Sequence, residues 1–233
     1  MKILAVETAT DACSAALYID GNISERWQLA PKIHTQLILP MLEELMVNAG
    51  LIPNQLDALA FGCGPGSFTG VRIATGIVQG IAFGADLPVL PVSTLAAIAQ
   101  DFFDHHPENV AFTALDARMD ELFWGVYQRN QEGFATLLGK EAVLPPNRVI
   151  FPDLSGVGLG SGWLAYQSLL MTQQSNNNVL RCLNDEIWPK AAAVVRLAAY
   201  HFQQGLAVSV EDALPVYLRD KVAKTEQERA QAS

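Results

Sequence analysis

The stretch GCGPGSFTGVR, residues 62–72, lies between an apolar run at residues 56–63 and an apolar helical pattern at residues 71–84. This order predicts a buried strand that enters a tight turn and continues as a helix. Its glycines favour either a sharp turn with unusual backbone angles or a cradle of backbone N–H groups for an anion. Both interpretations stand, and the second gives a candidate weak nucleotide or anion site at Gly64, Gly66, Ser67, Thr69 and Gly70.

The same segment departs from three familiar motifs. A Walker A loop would close with Gly-Lys-Ser or Gly-Lys-Thr, and the dinucleotide fingerprint needs a different glycine spacing. A GxSxG nucleophile elbow around Ser67 would need glycine where Pro65 stands. The segment therefore predicts a strand–turn–helix unit without specifying its chemistry.

Three strands and a helix are predicted on the N-terminal side of this unit. Residues 3–6, 13–19 and 23–29 are short apolar runs, and Asp20-Gly21-Asn22 is a turn signal between the last two. Residues 35–49 carry apolar side chains at helical spacing and are followed by a glycine, a common stop signal. Pro40 inside this helix predicts a kink or a late start.

A further strand and helix follow on the C-terminal side, at residues 87–91 and 94–103, with Ser93 as the expected N-cap. The order β-β-β-α-β-α-β-α predicts an α/β protein of the actin-like (ASKHA, ribonuclease-H-like) type, in which a mixed sheet is flanked by helices. We expect two lobes, residues 1–106 and a degenerate second lobe at residues 107–233 with a C-terminal tail.

The second half of the chain repeats features of the first. When Glu7 is placed over Asp116, Asp11 falls on Asp120 and Tyr18 falls on Tyr127. In both halves an acidic residue ends an apolar run, a tight turn follows, and a second apolar run returns. A true internal duplication and a chance match both fit so short an overlay. The clear helices of this half are residues 163–172 and 191–203.

Charge and composition restrict the function classes. The formal net charge is −9, and binding to nucleic acid depends mainly on Lys and Arg, so tRNA or DNA contact is expected only through a partner. Three widely separated cysteines fit neither a disulfide framework nor a CxxC site. Without a signal-peptide pattern at the start or an apolar run of eighteen residues, we expect a cytoplasmic protein that does not enter a membrane.

Metal and nucleotide chemistry have little support in the residue pattern. The four histidines are scattered without an HxxxH or HExxH pair, so no metal site is predicted. Glu7 and Asp116, at the ends of two predicted strands, would suit Mg²⁺ on a nucleotide, but the turn after Glu7 lacks the glycine of an actin-like phosphate loop. A second glycine cluster at residues 156–162 is a weak candidate for an adenosine-side loop.

Three glycines spaced by four residues predict a close approach between helices. Gly76, Gly80 and Gly84 share one face of the second helix, where each costs up to about 1 kcal/mol relative to alanine. They favour either tight packing inside this chain or docking of another chain. The docking interpretation joins them to the first helix and gives an interface of Leu37, Met41, Leu45, Gly76, Gly80 and Gly84.

Five segments of the chain, spread over nearly its whole length, resemble the TsaB (YeaZ) family of tRNA threonylcarbamoyladenosine biosynthesis proteins, which is related to the TsaD (Kae1, glycoprotease-like) enzymes. GPGSFTGVRI is the most specific of them. The resemblance implies an actin-like, two-lobed fold, in agreement with the strand order. The segments are residues 3–8 (ILAVET), 64–73 (GPGSFTGVRI), 91–95 (PVSTL), 115–118 (LDAR) and 215–219 (PVYLR).

The resemblance also implies a function. TsaD transfers a threonylcarbamoyl group to N6 of adenosine 37 in tRNAs that read codons beginning with A, using a metal bound by an HxxxH pair. Thr94 and Ile98 stand at the positions of those histidines. The chain is therefore expected to be a non-catalytic partner of TsaD that uses its first two helices, with the ATPase TsaE joining and a homodimer forming in isolation.

The resemblance implies no cofactor of the chain's own, with ATP or ADP expected only at an interface of the complex. The alternative is an enzyme of the same fold, either a nucleotide-dependent phosphotransferase or a metallopeptidase.

Overall fold

The fold contains two five-stranded sheets with the same topology. The computed structural model describes residues 1–174, 179–183 and 187–219. The first sheet has the order β3-β2-β1-β4-β5, with the β1–β2–β3 meander antiparallel and β4 and β5 parallel to β1. Its strands are β1 (Lys2–Glu7), β2 (Ala12–Ile19), β3 (Asn22–Leu29), β4 (Ala58–Gly62) and β5 (Val89–Val92).

The second sheet repeats this arrangement in the order β10-β9-β6-β7-β8, again with one antiparallel meander and two parallel strands. The predicted α/β fold and the repeat are confirmed at the level of topology. The register differs by one residue, because Ile3 pairs with Tyr18 whereas Ala111, not Phe112, pairs with Tyr127. The strands are β6 (Val110–Arg118), β7 (Glu121–Arg129), β8 (Ala135–Leu144), β9 (Gly156–Leu159) and β10 (Val179–Leu183).

All five predicted helices are present. The second begins at Phe68, three residues earlier than expected, because Ser67 caps it and accepts a hydrogen bond from the Gly70 N–H. Pro40 lies inside the first helix without ending it. The predicted tail at residues 224–233 lies outside the described residues. The helices are α1 (His34–Ala49), α2 (Phe68–Ala85), α3 (Thr94–His105), α4 (Ser161–Thr172) and α5 (Ala191–Gln203), with 3-10 turns at Pro53–Gln55 and Pro146–Arg148.

The elements stack in five layers. Helices α1 and α2 cover the outer face of the first sheet, and α4 covers the outer face of the second. Helices α3 and α5 lie between the two sheets, in one apolar cluster with residues from both. The two halves of the chain therefore share a core.

The two middle helices are exchanged between the halves. Helix α3, from the first half, packs on β6, β7 and β8, whereas α5, from the second half, packs across the five strands of the first sheet. The buried side-chain carbonyl of Gln100 on α3 accepts a hydrogen bond from the Ala135 N–H at 2.9 Å. At the start of α5, the Ala191 N–H donates to Ser14 Oγ at 2.9 Å. Each sheet thus depends on a helix from the other half.

One helix of the described residues, α2, is long and apolar enough to cross a membrane. The sequence expectation concerned an uninterrupted apolar run of eighteen residues, and α2 is not one, because Arg72 and Gln79 lie among its 18 residues. Length and composition do not separate a membrane helix from a helix packed on a sheet. Here Ala74, Val78 and Ala82 are buried against the first sheet.

We predict that residues 1–106 do not fold alone, because the inner face of the first sheet would lack α5. Circular dichroism should show no cooperative urea transition for this fragment. Co-expression with residues 107–233 is the control and should restore the transition and co-purification of the two pieces. A cooperative transition of residues 1–106 alone would contradict the dependence on α5.

Candidate functional site

The glycine turn at residues 62–72 packs against the end of β1. A Cβ on Gly66 would lie 2.4 Å from the Ala9 carbonyl oxygen, and one on Gly70 would lie 1.9 Å from that of Thr8. The Ser67 N–H donates to the Ala9 oxygen at 2.7 Å, and the Thr8 hydroxyl donates to the Gly70 oxygen at 2.7 Å. Close backbone approach therefore explains these two glycines.

The other predicted anion-site residues differ in exposure. Gly64 is buried with a φ of +103°, a conformation that glycine adopts readily. Ser67 and Thr69 are exposed, and the Ser67 hydroxyl accepts the Gly70 N–H at 3.3 Å. The tight-turn interpretation has direct geometric support, and the anion site stays a prediction that rests on the exposed hydroxyls.

Glu7 is a fully buried carboxyl group at the end of β1. Its Oε1 accepts a hydrogen bond from the Ala9 N–H at 2.6 Å, and its Oε2 has no hydrogen-bond partner. Oε2 lies over Gly62, where a Cβ would come within 1.7 Å of it. Burial raises the pKa of Glu7 to about 7. Gly62 is therefore the residue that makes room for this carboxyl.

Asp116, the counterpart of Glu7 in the second sheet, has different surroundings. It accepts a hydrogen bond from the Arg118 N–H at 2.8 Å, and its other oxygen pairs with the Arg118 guanidinium at 3.1 Å. Among residues 1–174, 179–183 and 187–219, no three His, Cys, Asp or Glu side chains group as metal ligands. Because Glu7 is enclosed and Asp116 is paired within its own strand, the geometry gives the Mg²⁺ hypothesis no support.

A polar cluster joins the two sheets where β5 ends. The Ser93 and Tyr127 hydroxyls both donate to Glu141 Oε1. Burial raises the pKa of Glu141 and raises the pKa of Tyr127 well above its usual value. Ser93 also caps α3, as predicted, by accepting from Leu95 N at 3.1 Å. No local signal in the sequence identifies Glu141, because it lies 48 residues from Ser93.

The C-terminal segment, residues 213–219, ties the first lobe to the second. The Val216 N–H donates to the Cys63 oxygen at 2.8 Å, beside the glycine turn. The Arg219 guanidinium forms an ion pair with Glu121 at 2.6 Å and donates to the Ala117 oxygen at 3.0 Å. Three segments that the sequence singled out, at residues 64–73, 115–118 and 215–219, therefore come together.

The second glycine cluster, residues 156–162, is also explained by packing. A Cβ on Gly158 would lie 2.5 Å from the buried Trp163 ring, and Cβ atoms on Gly160 and Gly162 would come within 3 Å of Ala114. The glycines let β9 and the start of α4 approach β6. An adenosine-side loop at this position stays a prediction.

The glycine stripe of α2 faces away from the rest of the chain. A Cβ on Gly76, Gly80 or Gly84 would meet no atom of the described residues within 4 Å, and all three glycines are exposed. The interpretation that they pack inside this chain is therefore wrong. Their role in docking another chain stays a prediction.

The first helix contributes less of the predicted interface than expected. Leu45 is 2% exposed, so its assignment to an interface is wrong, because it packs in the core under the first sheet. Leu37 and Met41 are half-buried. Three strongly exposed apolar residues on these two helices were not part of the predicted interface: Leu39, Val47 and Phe83, which are 54%, 69% and 78% exposed.

The positions that the resemblance aligns with metal-binding histidines lie in the first turns of α3. Thr94 and Ile98 are each 0% exposed, and Ile98 belongs to the core between the sheets. The Thr94 hydroxyl is buried and has no hydrogen-bond partner among the residues that the structure describes. These side chains form part of the packing of the shared core.

Comparison with known proteins agrees with this geometry. Residues 28–227 match the family model described as TsaD, tRNA N6-adenosine threonylcarbamoyltransferase. The chain is 43% identical to the tRNA threonylcarbamoyladenosine biosynthesis protein TsaB of Escherichia coli K12, over 96% of each chain. The chain belongs to the TsaB branch of the TsaD family. The Haemophilus influenzae TsaB is 39% identical over 95% of each chain.

Solved structures support the same TsaB fold. YeaZ from Pseudomonas aeruginosa superposes with a TM-score of 0.86 and 42% identity, covering 93% of this chain and 99% of that one. A second Pseudomonas aeruginosa structure, an uncharacterized protein with similarity to peptidase YeaZ, has a TM-score of 0.87 and 42% identity, covering 94% and 99%. The actin-like fold expected from the sequence is thereby confirmed.

We predict that Glu7→Gln flattens the pH dependence of stability. The pKa of Glu7 is about 7 in the folded chain against an ordinary 4.5, so the folded state holds a proton that the unfolded state releases. Stability from this group is full below pH 4.5 and is lost as pH rises through about 7. The difference between the two pKa values corresponds to about 3 kcal/mol.

Urea unfolding at about pH 5 and pH 8 measures this effect. The wild-type chain should lose up to about 3 kcal/mol more between these conditions than Glu7→Gln. The control Glu43→Gln makes the same substitution at an exposed position of α1, so a change common to both variants does not come from the burial of Glu7. Equal pH profiles for the wild type and Glu7→Gln would contradict the prediction.

Proposed function

We propose that this chain is a non-catalytic partner of a TsaD-type threonylcarbamoyltransferase, required for threonylcarbamoyladenosine formation at position 37 of tRNAs that read codons beginning with A. The observation that carries the proposal is the TsaB relationship together with the core packing of Thr94 and Ile98. A threonine and an isoleucine buried between two sheets do not offer the imidazole nitrogens of an HxxxH site.

The surface that suits the partner is the exposed face of α1 and α2. Gly76, Gly80 and Gly84 leave a strip without side chains, where the backbone of another helix can come close. Exposed Phe83 and Val47 add apolar area on the same two helices. TsaD is the occupant that we propose in the complex, and a second copy of this chain is the proposed occupant in isolation.

The wider assembly follows from charge and from the TsaB relationship. With a net charge of −9, the chain is poorly suited to hold tRNA alone, and we propose that tRNA is engaged through the complex. TsaE is the third proposed component, with ATP or ADP at an interface and no cofactor belonging to this chain. The cytoplasm is the proposed location.

The enzyme alternatives have less support. A phosphotransferase of this fold needs carboxylates that reach a nucleotide-bound Mg²⁺, and Glu7 is enclosed with a pKa near 7. A metallopeptidase needs a ligand set, and the positions aligned with histidines belong to the core. The partner role is therefore preferred.

We predict that the chain forms a complex with purified TsaD and that Gly80→Leu weakens it by about tenfold or more. The added side chain fills the strip, while the monomer stays folded because no atom lies within 4 Å of the Cβ position. Light scattering gives the mass, and modification of adenosine 37 should appear only in the reconstituted mixture. Ser168→Leu, an exposed position on α4, is the matched control.

An unchanged mass and activity of the Gly80→Leu mixture would remove the glycine strip from the interface. Failure of wild-type chain and TsaD to form any mixed species would contradict the partner role itself.

We also predict that the isolated chain neither turns over ATP with Mg²⁺ nor retains full-length tRNA at physiological salt. The first expectation follows from the enclosed Glu7 and the second from the net charge. Phosphate release and a filter-binding assay measure the two. Robust ATP turnover by the isolated chain would favour the phosphotransferase alternative.

A further inference from the structure

An arginine stacked on two aromatic rings stands at the N-terminal end of α2. The guanidinium carbon of Arg72 lies 3.4 Å from the centre of the Phe68 ring and 5.4 Å from the centre of the Tyr217 ring. The rings are 5.7 Å apart and inclined at 38°. We call Phe68, Arg72 and Tyr217 the aromatic platform.

The platform is open to solvent and carries an unneutralised positive charge. Phe68 is 49% exposed, Tyr217 is 46% exposed, and Arg72 is exposed. No carboxylate within the part of the chain that the structure describes forms an ion pair with Arg72, whereas Arg118 and Arg219 are both paired. On a chain of net charge −9, such an arginine favours an anionic ligand locally.

Tertiary structure builds the platform from distant segments. Phe68 follows the glycine turn, and Tyr217 belongs to the C-terminal segment, which the Val216–Cys63 hydrogen bond and the Arg219–Glu121 ion pair hold in place. The two rings line part of a cavity of about 80 Å³. Besides the two rings, its lining includes Pro65, Val71, Phe123 and Leu218.

We propose that the aromatic platform binds a nucleotide. A base stacks favourably on aromatic rings and on the plane of a guanidinium group, and the Arg72 guanidinium already lies over the Phe68 ring. The guanidinium N–H groups suit a phosphate, and the exposed hydroxyls of Ser67 and Thr69 lie next to Phe68 in the chain.

The size of the cavity sets the mode of binding. At about 80 Å³ it is far below the roughly 300 Å³ at which enclosed ligand pockets begin. The base therefore lies on the platform with only an edge directed into the cavity. A free nucleotide and an unpaired residue of an RNA share this chemistry. The platform would bind the nucleotide through residues of this chain alone. The inference therefore goes beyond the partner role and does not depend on it.

The platform adjoins the proposed interface, which the test has to separate from it. Phe68, Arg72, Gly76 and Gly80 follow one another at intervals of four residues on α2. A variant that disturbs only assembly would change the mass of the complex and leave nucleotide binding by the isolated chain unaltered. Because a second copy is the proposed occupant of this face in isolation, the nucleotide test uses the full chain without TsaD, at a concentration where light scattering gives the monomer mass.

The probes are AMP and a short fluorescein-labelled oligoadenylate, measured by calorimetry and by fluorescence anisotropy at low ionic strength, where weak phosphate contacts are strongest. Arg72→Gln and Tyr217→Ala should each weaken binding by about tenfold. Arg72→Lys keeps the charge without the plane and should also weaken it. The matched controls are Arg148→Gln and Trp27→Ala, which remove an exposed arginine and an exposed aromatic ring that lie away from α2 and from the proposed interface.

The outcomes distinguish three cases: a site for a free nucleotide, a site for an RNA residue, and no site. AMP binding that is lost in the platform variants supports a free nucleotide, and binding of the oligoadenylate alone supports an RNA residue. Failure of both probes to bind the wild-type chain, or an equal loss in the control variants, would overturn the proposal. Urea midpoints check that the variants are folded, and Arg72 is exposed enough to be replaced without loss of the core.

Discussion

The packing of α3 and α5 between the two sheets is the constraint on which the rest of the structure depends. Each of these helices covers the sheet of the other half of the chain, so neither sheet has a complete core without the other half. Gln100 adds a polar contact, because its side chain on α3 accepts a hydrogen bond from the Ala135 N–H on β8. Ser93, which follows β5, then lies against Glu141 on β8. Glu7 is enclosed at the end of β1, beside Ala9 and Gly62.

Local features of the fold were predictable from the sequence, and long-range ones were not. Strands and helices follow from apolar spacing, and Ser93 caps α3 because capping involves only neighbouring residues. The exchange of α3 and α5 could not be predicted, because apolar spacing shows that a helix is buried but not which sheet it packs on. The contact of residues 213–219 with the glycine turn likewise joins segments some 150 positions apart in the printed sequence.

Glycine shows where a residue type alone is ambiguous. Gly66 and Gly70 allow backbone approach, and Gly62 makes room for the Glu7 carboxyl. A Cβ on Gly76 or Gly80 would contact none of the residues that the structure describes. The sequence presents all of them as small residues near a helix, so the anion cradle, the tight turn and the docking strip could not be separated. These roles are distinguished only by the atoms that lie near the Cβ position of each glycine in the folded chain.

The position of α5 in the chain has a consequence during synthesis. The inner face of the first sheet is made by residue 92, but the helix that covers it is not complete until residue 203. At about 5–20 residues per second, the ribosome needs roughly 5–20 s to supply the intervening chain. For that interval the nascent first half exposes an alanine-rich apolar surface. Chaperones would have most effect on the yield of the protein during this time.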